Sequence, residues 1–579
     1  MRISELVQER CANSPDETAA EWLIFAGGDG VPARRDSWTW GDLGQRAAGL
    51  AREITRGAGT RPPAQPPIVA LLLPTSPEYW VAFMGCALAG AIAVPLDRVD
   101  PHRPVDRLAA ILATCRPDII VIHEQDRGPT QAALARVPGL GRTALLAVDT
   151  LMRRGDPAEF PVRATTAPDS LACLQFTSGS YMHPSGAKVT SEAFCSHMLQ
   201  ATADVAIPPG ARTVSWLPMS HNMGLFLSLG ISLVLGVPCT MMSPQDFLMN
   251  PARWLVELGT GQFPTYSGAP NFALDHCIDF LRKYAGHGLP EREAGTFDLG
   301  LVQSIYCGSE TIRPESVRTF QACLEPYGLR PQTIRPSYGM AEAIVYVSSR
   351  QGMTVASCDR EALRAGRAEP AQDDDRRQEI VSCGPPAPGL EAVCVDPETL
   401  HPVGERAVGE LWLRGPNIVP GYWNEPDHDR ETFGWVLADD ETGRQWLRSG
   451  DLAFFDDGEI YLVGRLKAMV VANGQNHYAE DVERTVQRCD PRVRPGRVAV
   501  VADPTASTEA AVVLAECRGL EGDDRVALGR RITECVALTH GLTVNAVHLL
   551  EPNTLPLTPS GKVQRGFAAE IVRRRATRA

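Results

Sequence analysis

No two of the fifteen cysteines stand in a Cys-x-x-Cys spacing, so their placement gives no sign of a metal or dithiol site. Their odd number argues against a fully paired disulfide framework. Cys86, Cys173 and Cys394 lie in apolar runs, the usage of small buried hydrophobes in a reducing compartment. Positive charge is also scarce. The net charge is -13, which makes the chain a poor nucleic-acid binder. Its one basic cluster, Arg573, Arg574, Arg575 and Arg578, reads as a solvated helix end. The first residues, MRISELVQERCANSPDE, carry no apolar signal-peptide core, and a cytoplasmic protein is expected. Long apolar runs are missing as well. The longest, Trp80 to Leu96, ends in Pro95-Leu96 and only reaches the short limit for a membrane span, about 17 residues. It reads better as a buried helix running into a buried strand. There is no internal repeat, no long low-complexity tract and no Walker Gly-Lys-Ser/Thr.

What is present is a soluble globular composition in a chain too long for one core. At about 100–200 residues per domain, two to four structural units are expected. Apolar runs bounded by turn signals predict buried strands at Ile68–Leu73, Ile119–Ile122, Ala144–Val148, Thr213–Leu217 and Leu301–Cys307. Helical patterns such as Trp40–Ile54 and Pro77–Ala89 lie between them. Strands buried on both faces that alternate with helices indicate parallel α/β layers. After about residue 380 the texture becomes β-rich, with short strands at Glu391–Val395, Glu410–Leu413 and Glu459–Val463. From about residue 468 a small α+β unit is expected, with helices at Asp481–Arg488 and Asp524–Leu538 and strands at Val498–Val501 and Ala510–Ala515. Before the β-rich region, Arg360 to Gln378 is polar and reads as a mobile surface insertion.

The sharpest local signal is Thr177-Ser178-Gly179-Ser180, followed by Pro184-Ser185-Gly186, directly after the apolar strand Leu171–Phe176. Hydroxyls and glycine backbone after a strand can converge on one anion, so this is a candidate phosphate loop. Taken alone it is as easily a structural turn. It does not stand alone. Trp216-Leu217-Pro218 precedes His221-Asn222-Met223-Gly224-Leu225, and Gly268-Ala269-Pro270-Asn271 follows. Then come Cys307-Gly308-Ser309-Glu310, Ser337-Tyr338-Gly339-Met340-Ala341-Glu342, Gly409-Glu410-Leu411-Trp412 and Gly421-Tyr422-Trp423. Ser449-Gly450-Asp451, Gly464-Arg465-Leu466-Lys467, Gly474-Gln475-Asn476-His477-Tyr478 and Pro559-Ser560-Gly561-Lys562 complete the order.

That order resembles the adenylate-forming superfamily of acyl-CoA synthetases, luciferases and nonribosomal peptide synthetase adenylation domains, over nearly the whole chain. It is most similar to the fatty acyl-AMP ligases. Three features carry this: Gly339-Met340-Ala341-Glu342-Ala343 with Val345-Tyr346-Val347 after it, the inserted segment ending in Val381-Ser382-Cys383-Gly384, and the Gly474–Tyr478 motif. The resemblance implies an α/β fold with a large N-terminal domain over 1–466. That domain would hold layered α/β subdomains, a distorted β-barrel at about 380–466 and an insertion at about 350–380. A small mobile α+β lid would cover 467–579, hinged near Lys467. It implies that a carboxylic acid attacks the α-phosphate of ATP, with Mg²⁺ present, and that the acyl group passes to the phosphopantetheine of an acyl carrier protein. The alternatives are a ligase using free coenzyme A and a noncatalytic nucleotide-binding homologue.

The same resemblance gives residues their roles. Lys562 is the adenylation lysine, a compact charge able to meet both anions. His221 stands by the acyl pocket. Thr177, Ser178, Gly179 and Ser180 form the phosphate loop. Gly308, Ser309, Glu310, Tyr338, Gly339 and Met340 line the nucleotide. Asp451 takes the ribose hydroxyls with Arg465 in support, and Glu342 holds Mg²⁺. Met219, Met223, Phe226, Phe272 and Leu274 are explained equally well as core. Departures from the pattern fall at Tyr181, Ser185, Asn222 and Ala468, where Thr, Lys, Asp and Asp are usual. They imply altered pyrophosphate contacts, and a specialised substrate or a divergent clade.

Overall fold

The strand Ile68–Leu73 is buried along its whole length and sits inside a six-stranded sheet. In order the sheet holds Ala144–Ala147, Ile119–Ile122, Ile68–Leu73, Ile92–Asp97, Leu171–Phe176 and Gly186–Thr190. All pairs are parallel except the last. The computed structural model describes residues 2–26, 32–59, 65–100, 105–141, 143–153, 170–177, 184–284, 289–293, 296–472, 475–503, 510–520, 522–555, 557 and 563–576.

The apolar run from Trp80 divides as the sequence implies. The helix Pro77–Ala89 has proline in its first turn, and Gly90 ends it in the left-handed region at φ +66°. The strand Ile92–Asp97 follows. Beside it the helix Trp40–Ala58 begins at Thr39, whose side chain accepts the Asp42 amide while the Asp42 carboxylate accepts the Thr39 amide. Among the described residues no helix is long and apolar enough to cross a membrane.

A second, eight-stranded sheet runs Ser348–Ser349, Ile334–Tyr338, Val302–Cys307, Thr265–Ala269, Arg212–Ser215, Cys239–Met241, Thr18–Ile24, Arg34–Thr39. Its interior is parallel and both edge pairs are antiparallel. The expected strand Thr213–Leu217 ends at Ser215, because the Leu217 amide turns back to Ser215 Oγ at 3.3 Å. Val148 likewise opens a helix instead of ending a strand. Twelve of the fifteen cysteines are buried and all are free. Burial pushes the Cys173 thiol up to about 12, so it acts as an inert hydrophobe.

The β-rich region is a four-stranded antiparallel sheet ordered Glu391–Val395, Gly409–Arg414, Leu447–Asp456, Glu459–Arg465. A bridge from Ser382 to Tyr461 joins it to the hairpin Val355–Asp359 with Arg377–Val381. No ladder closes these strands into a barrel among the described residues. From Met469 on, the chain makes the hairpin Met469–Ala472 with Gln475–Tyr478 and a three-stranded sheet. The helices Ala479–Cys489, Asp523–His540 and Arg565–Ala576 complete it. Val470, Val482, Val486, Val500, Val513 and Ile532 share one buried cluster here.

One expectation needs correcting. The segment Arg360–Gln378, read as mobile from its polarity, is docked. Leu363 and Ala368 are fully buried in a cluster with Phe454, Tyr461 and Tyr478. Two of its arginines are partnered across the structure. Arg360 donates to Asp481 at 2.9 Å, and Arg364 lies 3.2 Å from His540 Nδ1. The Tyr478 hydroxyl donates to the Leu363 carbonyl at 3.1 Å. Two apolar anchors and remote charge partners hold a stretch whose composition alone suggests solvent.

This interface gives a pH prediction. Burial, with Arg360 and Arg364 nearby and opposed by Asp481, pushes His540 down to about 4. Burial and Arg364 push His477 down to about 4, and burial alone pushes His197 to about 3. Each is neutral when folded and takes up a proton when unfolded below about 6.5. The unfolded state therefore binds more protons between pH 6.5 and 4, and stability falls as pH drops through that window. Thermal unfolding at stepped pH should show this decline, and His540→Gln should make it shallower. An unchanged slope in the variant would rule out the contribution of His540.

Candidate active site

Asp451 lies in the strand Leu447–Asp456, directly opposite Arg465 on the next strand. The Arg465 Nε–H donates to Asp451 Oδ1 at 2.9 Å. The Tyr338 hydroxyl, from the end of the parallel strand Ile334–Tyr338, donates to Oδ2 at 2.6 Å. Burial, and then the carboxylate beside it, push the Tyr338 phenol well above its ordinary value, so it remains a donor. Tyr338 also approaches Met340 Sδ at 3.7 Å. Three residues expected at the nucleotide are thus in one hydrogen-bonded group, with Met340 at its edge.

The two motif glycines before and after Tyr338 are there for space. A Cβ on Gly308 would lie 2.6 Å from the Ser337 carbonyl oxygen, and one on Gly339 would lie 1.4 Å from that of Val345. Backbone must pass close to backbone at both points. Ser309 adopts φ +66° and its hydroxyl meets Met223 Sδ at 3.3 Å. Glu310 Oε1 accepts the Phe272 amide at 2.6 Å, at the start of the helix Asn271–Lys283.

Glu342 sits in a short 3₁₀ turn, Ala341–Ala343, and is buried. Its Oε1 accepts the Tyr422 hydroxyl at 2.6 Å, and its carbonyl accepts the Val419 amide at 2.9 Å. Two residues on, Ile344 adopts φ +67°, a strained conformation for a β-branched residue. Asn222 holds that strain in place. Its Nδ2 donates to the Ile344 carbonyl at 3.0 Å, while its Oδ1 accepts the Met223 amide at 2.9 Å. The departure from aspartate therefore has a physical reason, since only the amide both donates and accepts here. Asn222→Asp should cost about 2 kcal/mol, the scale for a buried carbonyl left without its donor. Equilibrium unfolding checks this, and no loss would mean the strap is idle. His221, just before, caps the helix Asn222–Leu225, with Nδ1 accepting the Met223 amide at 3.3 Å.

Of the phosphate loop, Thr177 is described and Ser178, Gly179 and Ser180 lie outside the described residues, as does Tyr181. The Thr177 amide donates to the Ser185 carbonyl at 2.9 Å, and its carbonyl accepts Arg107 at 2.7 Å. Lys562 also lies outside the described residues. Lys467 is largely exposed in the turn Leu466–Ala468 and reaches Glu431 at 3.9 Å. Tyr422, Asn222 and the Thr311–Glu480 contact at 2.7 Å were not expected as site residues. Tyr422 was signalled by its own Gly421-Tyr422-Trp423 motif, whereas no local signal marks Glu480.

Among the described residues, no group of three or more histidines, cysteines or carboxylates is placed to cage a metal. Mg²⁺ is bound through one or two carboxylates together with substrate phosphates, and the buried Glu342 carboxylate is compatible with that ion.

Residues 7–423 match the model of the family described as AMP-binding enzyme, and 467–573 match that described as Disco-interacting protein 2-like, AMP domain. FadD21 of Mycobacterium tuberculosis, which carries a fatty-acid–CoA ligase name, is 32% identical over 99% of this chain and 98% of its own. The long-chain-fatty-acid–AMP ligase FadD26 of the same organism is 33% identical over 99% and 97%. A solved fatty acyl-adenylate ligase from L. pneumophila, in complex with acyl adenylate and pyrophosphate, superposes with a TM-score of 0.73 at 26% identity, covering 99% of this chain and 96% of that one.

Proposed function

The chain belongs to the AMP-binding enzyme family, and on that premise we propose how its site makes an acyl-adenylate and where the acyl group goes next. The activity is ATP-dependent adenylation of an acyl carboxylic acid with release of pyrophosphate. The observation that carries the residue assignment is the Asp451 carboxylate held between Tyr338 and Arg465. An oriented carboxylate is the acceptor that a ribose diol requires. When the nucleotide arrives, its hydroxyls take the place of the Tyr338 hydroxyl at Oδ2, and the phenol ring is left as a stacking face for adenine. Arg465 holds the carboxylate in place.

Glu342 is the residue that would hold Mg²⁺. When bound, the ion neutralises charge on the phosphates where the acid attacks. Gly308 and Gly339 let the backbone close around the nucleotide. His221 faces the acid, and Lys562 supplies the positive charge that both reacting anions share. The acyl group then goes to the phosphopantetheine thiol of a carrier protein after the C-terminal residues turn about Lys467. Support for a carrier over free coenzyme A comes from the docked segment at Arg360–Asp481 and Leu363–Tyr478, which ties the C-terminal residues to the rest of the chain. The coenzyme A ligase name of FadD21 favours the second reading.

One experiment separates them. The purified protein is given ATP, Mg²⁺ and a mixed acid library, and acyl-AMP is sought by intact mass. Phosphopantetheinylated carrier and free coenzyme A are then offered in parallel. Acylated carrier formed much faster than acyl-coenzyme A is the expected result. Equal rates would overturn the carrier assignment, and no adenylate with any acid would overturn the activity.

A further inference from the structure

Ser185 stands at the root of the phosphate loop and is buried, and nothing in the roles assigned so far uses its side chain. Its hydroxyl donates to Glu425 Oε2 at 2.7 Å and lies 3.0 Å from His428 Nδ1. Glu425 Oε2 meets the same ring nitrogen at 3.3 Å. Serine and carboxylate thus share one nitrogen of the imidazole. A nucleophilic relay needs them on opposite nitrogens, so this triangle is a brace and not a hydrolytic centre.

What it braces is the His428 ring, which lies stacked on Tyr422 with centroids 4.3 Å apart and planes 17° apart. Phe433 packs edge-on against Tyr422 at 5.2 Å. The Tyr422 amide donates to Asp429 Oδ1 at 2.5 Å, and a bridge to Ala187 ties its backbone to the strand that follows the phosphate loop. Backbone, ring face and ring edge are therefore all fixed, and the hydroxyl is delivered to Glu342 Oε1 at 2.6 Å.

We propose that Tyr422 is a positioning residue for the metal-binding carboxylate, and that Ser185, Glu425 and His428 brace it so that the root of the phosphate loop and Glu342 are set as one unit. Serine at position 185 then has a use that a lysine could not serve, because its short hydroxyl closes the triangle beneath the loop. This inference rests on the reading that Glu342 holds the cation. A hydrogen bond to one oxygen of a ligating carboxylate fixes its plane and leaves the other oxygen for the metal. Losing such a partner typically weakens metal affinity by about 10–100-fold.

The test is Mn²⁺ binding to the full-length protein saturated with a non-hydrolysable ATP analogue, followed by the electron paramagnetic resonance signal of free Mn²⁺. Tyr422→Phe keeps the ring stack and removes only the hydroxyl, and should weaken Mn²⁺ binding by about tenfold. His428→Ala should weaken it by a smaller factor, and His428→Phe should restore it by restoring the stacked ring. That pair carries the test if Tyr422→Phe does not fold. Glu342→Gln is measured alongside. If Glu342→Gln weakens binding and Tyr422→Phe does not, the positioning role is wrong. If Glu342→Gln itself binds Mn²⁺ as tightly as the parent, the metal assignment beneath it is overturned, whatever the acid-adenylation assay shows.

Discussion

Gly339→Ala should abolish acyl-AMP formation and lower stability by about 3 kcal/mol, the upper end for forcing one extra carbon into a packed interior. The added Cβ would coincide with the Val345 carbonyl oxygen, at 1.4 Å, with the Tyr346 amide nitrogen at 3.4 Å behind it. No side chain can yield, because the obstacle is backbone. That backbone is itself constrained. The Val347 amide donates to the Tyr338 carbonyl at 3.0 Å, the Val345 amide to that of Ala343 at 2.8 Å, and Ile344 is already at positive φ. Moving Val345 away must open the turn that carries Glu342 and pull on Tyr338, so Glu342 and the Asp451 that Tyr338 holds lose their geometry together. Gly49→Ala is the control. It lies in the helix Trp40–Ala58 with nothing within 4 Å of the new carbon, and should be neutral or stabilising by about 0.5–1 kcal/mol. Acyl-AMP by mass and thermal unfolding of both variants check this. A Gly339→Ala protein that adenylates normally would show that the close approach does not matter.

Much of the scaffold was legible because burial on both faces leaves a plain signal. Ile68–Leu73 and Ile119–Ile122 are strands with the bounds that their apolar runs suggest. The pair Asp451 and Arg465 was named by the resemblance alone, and the antiparallel pairing of their strands sets them directly opposite one another. Tyr338 reaches Asp451 from 113 positions away, and the order of motifs alone linked them. What stayed hidden depends on partners far along the chain. Ser185 meets Glu425 across 240 positions, and neither residue has a pattern that names the other. Asn222 looked like a lost charge, yet its amide holds a carbonyl 122 positions away. Arg360 looked solvated until Asp481 supplied its counter-charge. Composition records that a charge exists, while its partner is set by the fold.

Lys562→Ala should cut acid-dependent ATP–pyrophosphate exchange by about 10²–10³-fold, the usual loss when one preorganised charge at a reacting anion is removed. Stability should be unchanged, because other residues hold the chain on either side. Leu557 and Val563 form a bridge, and Gln564 donates to the Leu557 carbonyl at 2.9 Å. Arg565 makes a two-pronged contact with Glu483, 2.8 Å to each oxygen, and Glu483 is fixed in turn by the Val500 amide at 3.0 Å. Arg565 also reaches Glu480 at 3.2 Å, and Glu480 accepts the Thr311 hydroxyl at 2.7 Å. Thr311 directly follows Gly308-Ser309-Glu310. A continuous set of polar contacts therefore links the residue three places past Lys562 to the residue that follows Gly308-Ser309-Glu310. The Lys562→Ala variant tests the role proposed for this lysine in adenylation. It also separates the two half-reactions. If Lys562 serves only the first, the variant should fail with acid and ATP yet still transfer the acyl group from supplied acyl-AMP to the acceptor thiol. Loss of both would assign the lysine to closure in general, and loss of neither would remove it from the chemistry.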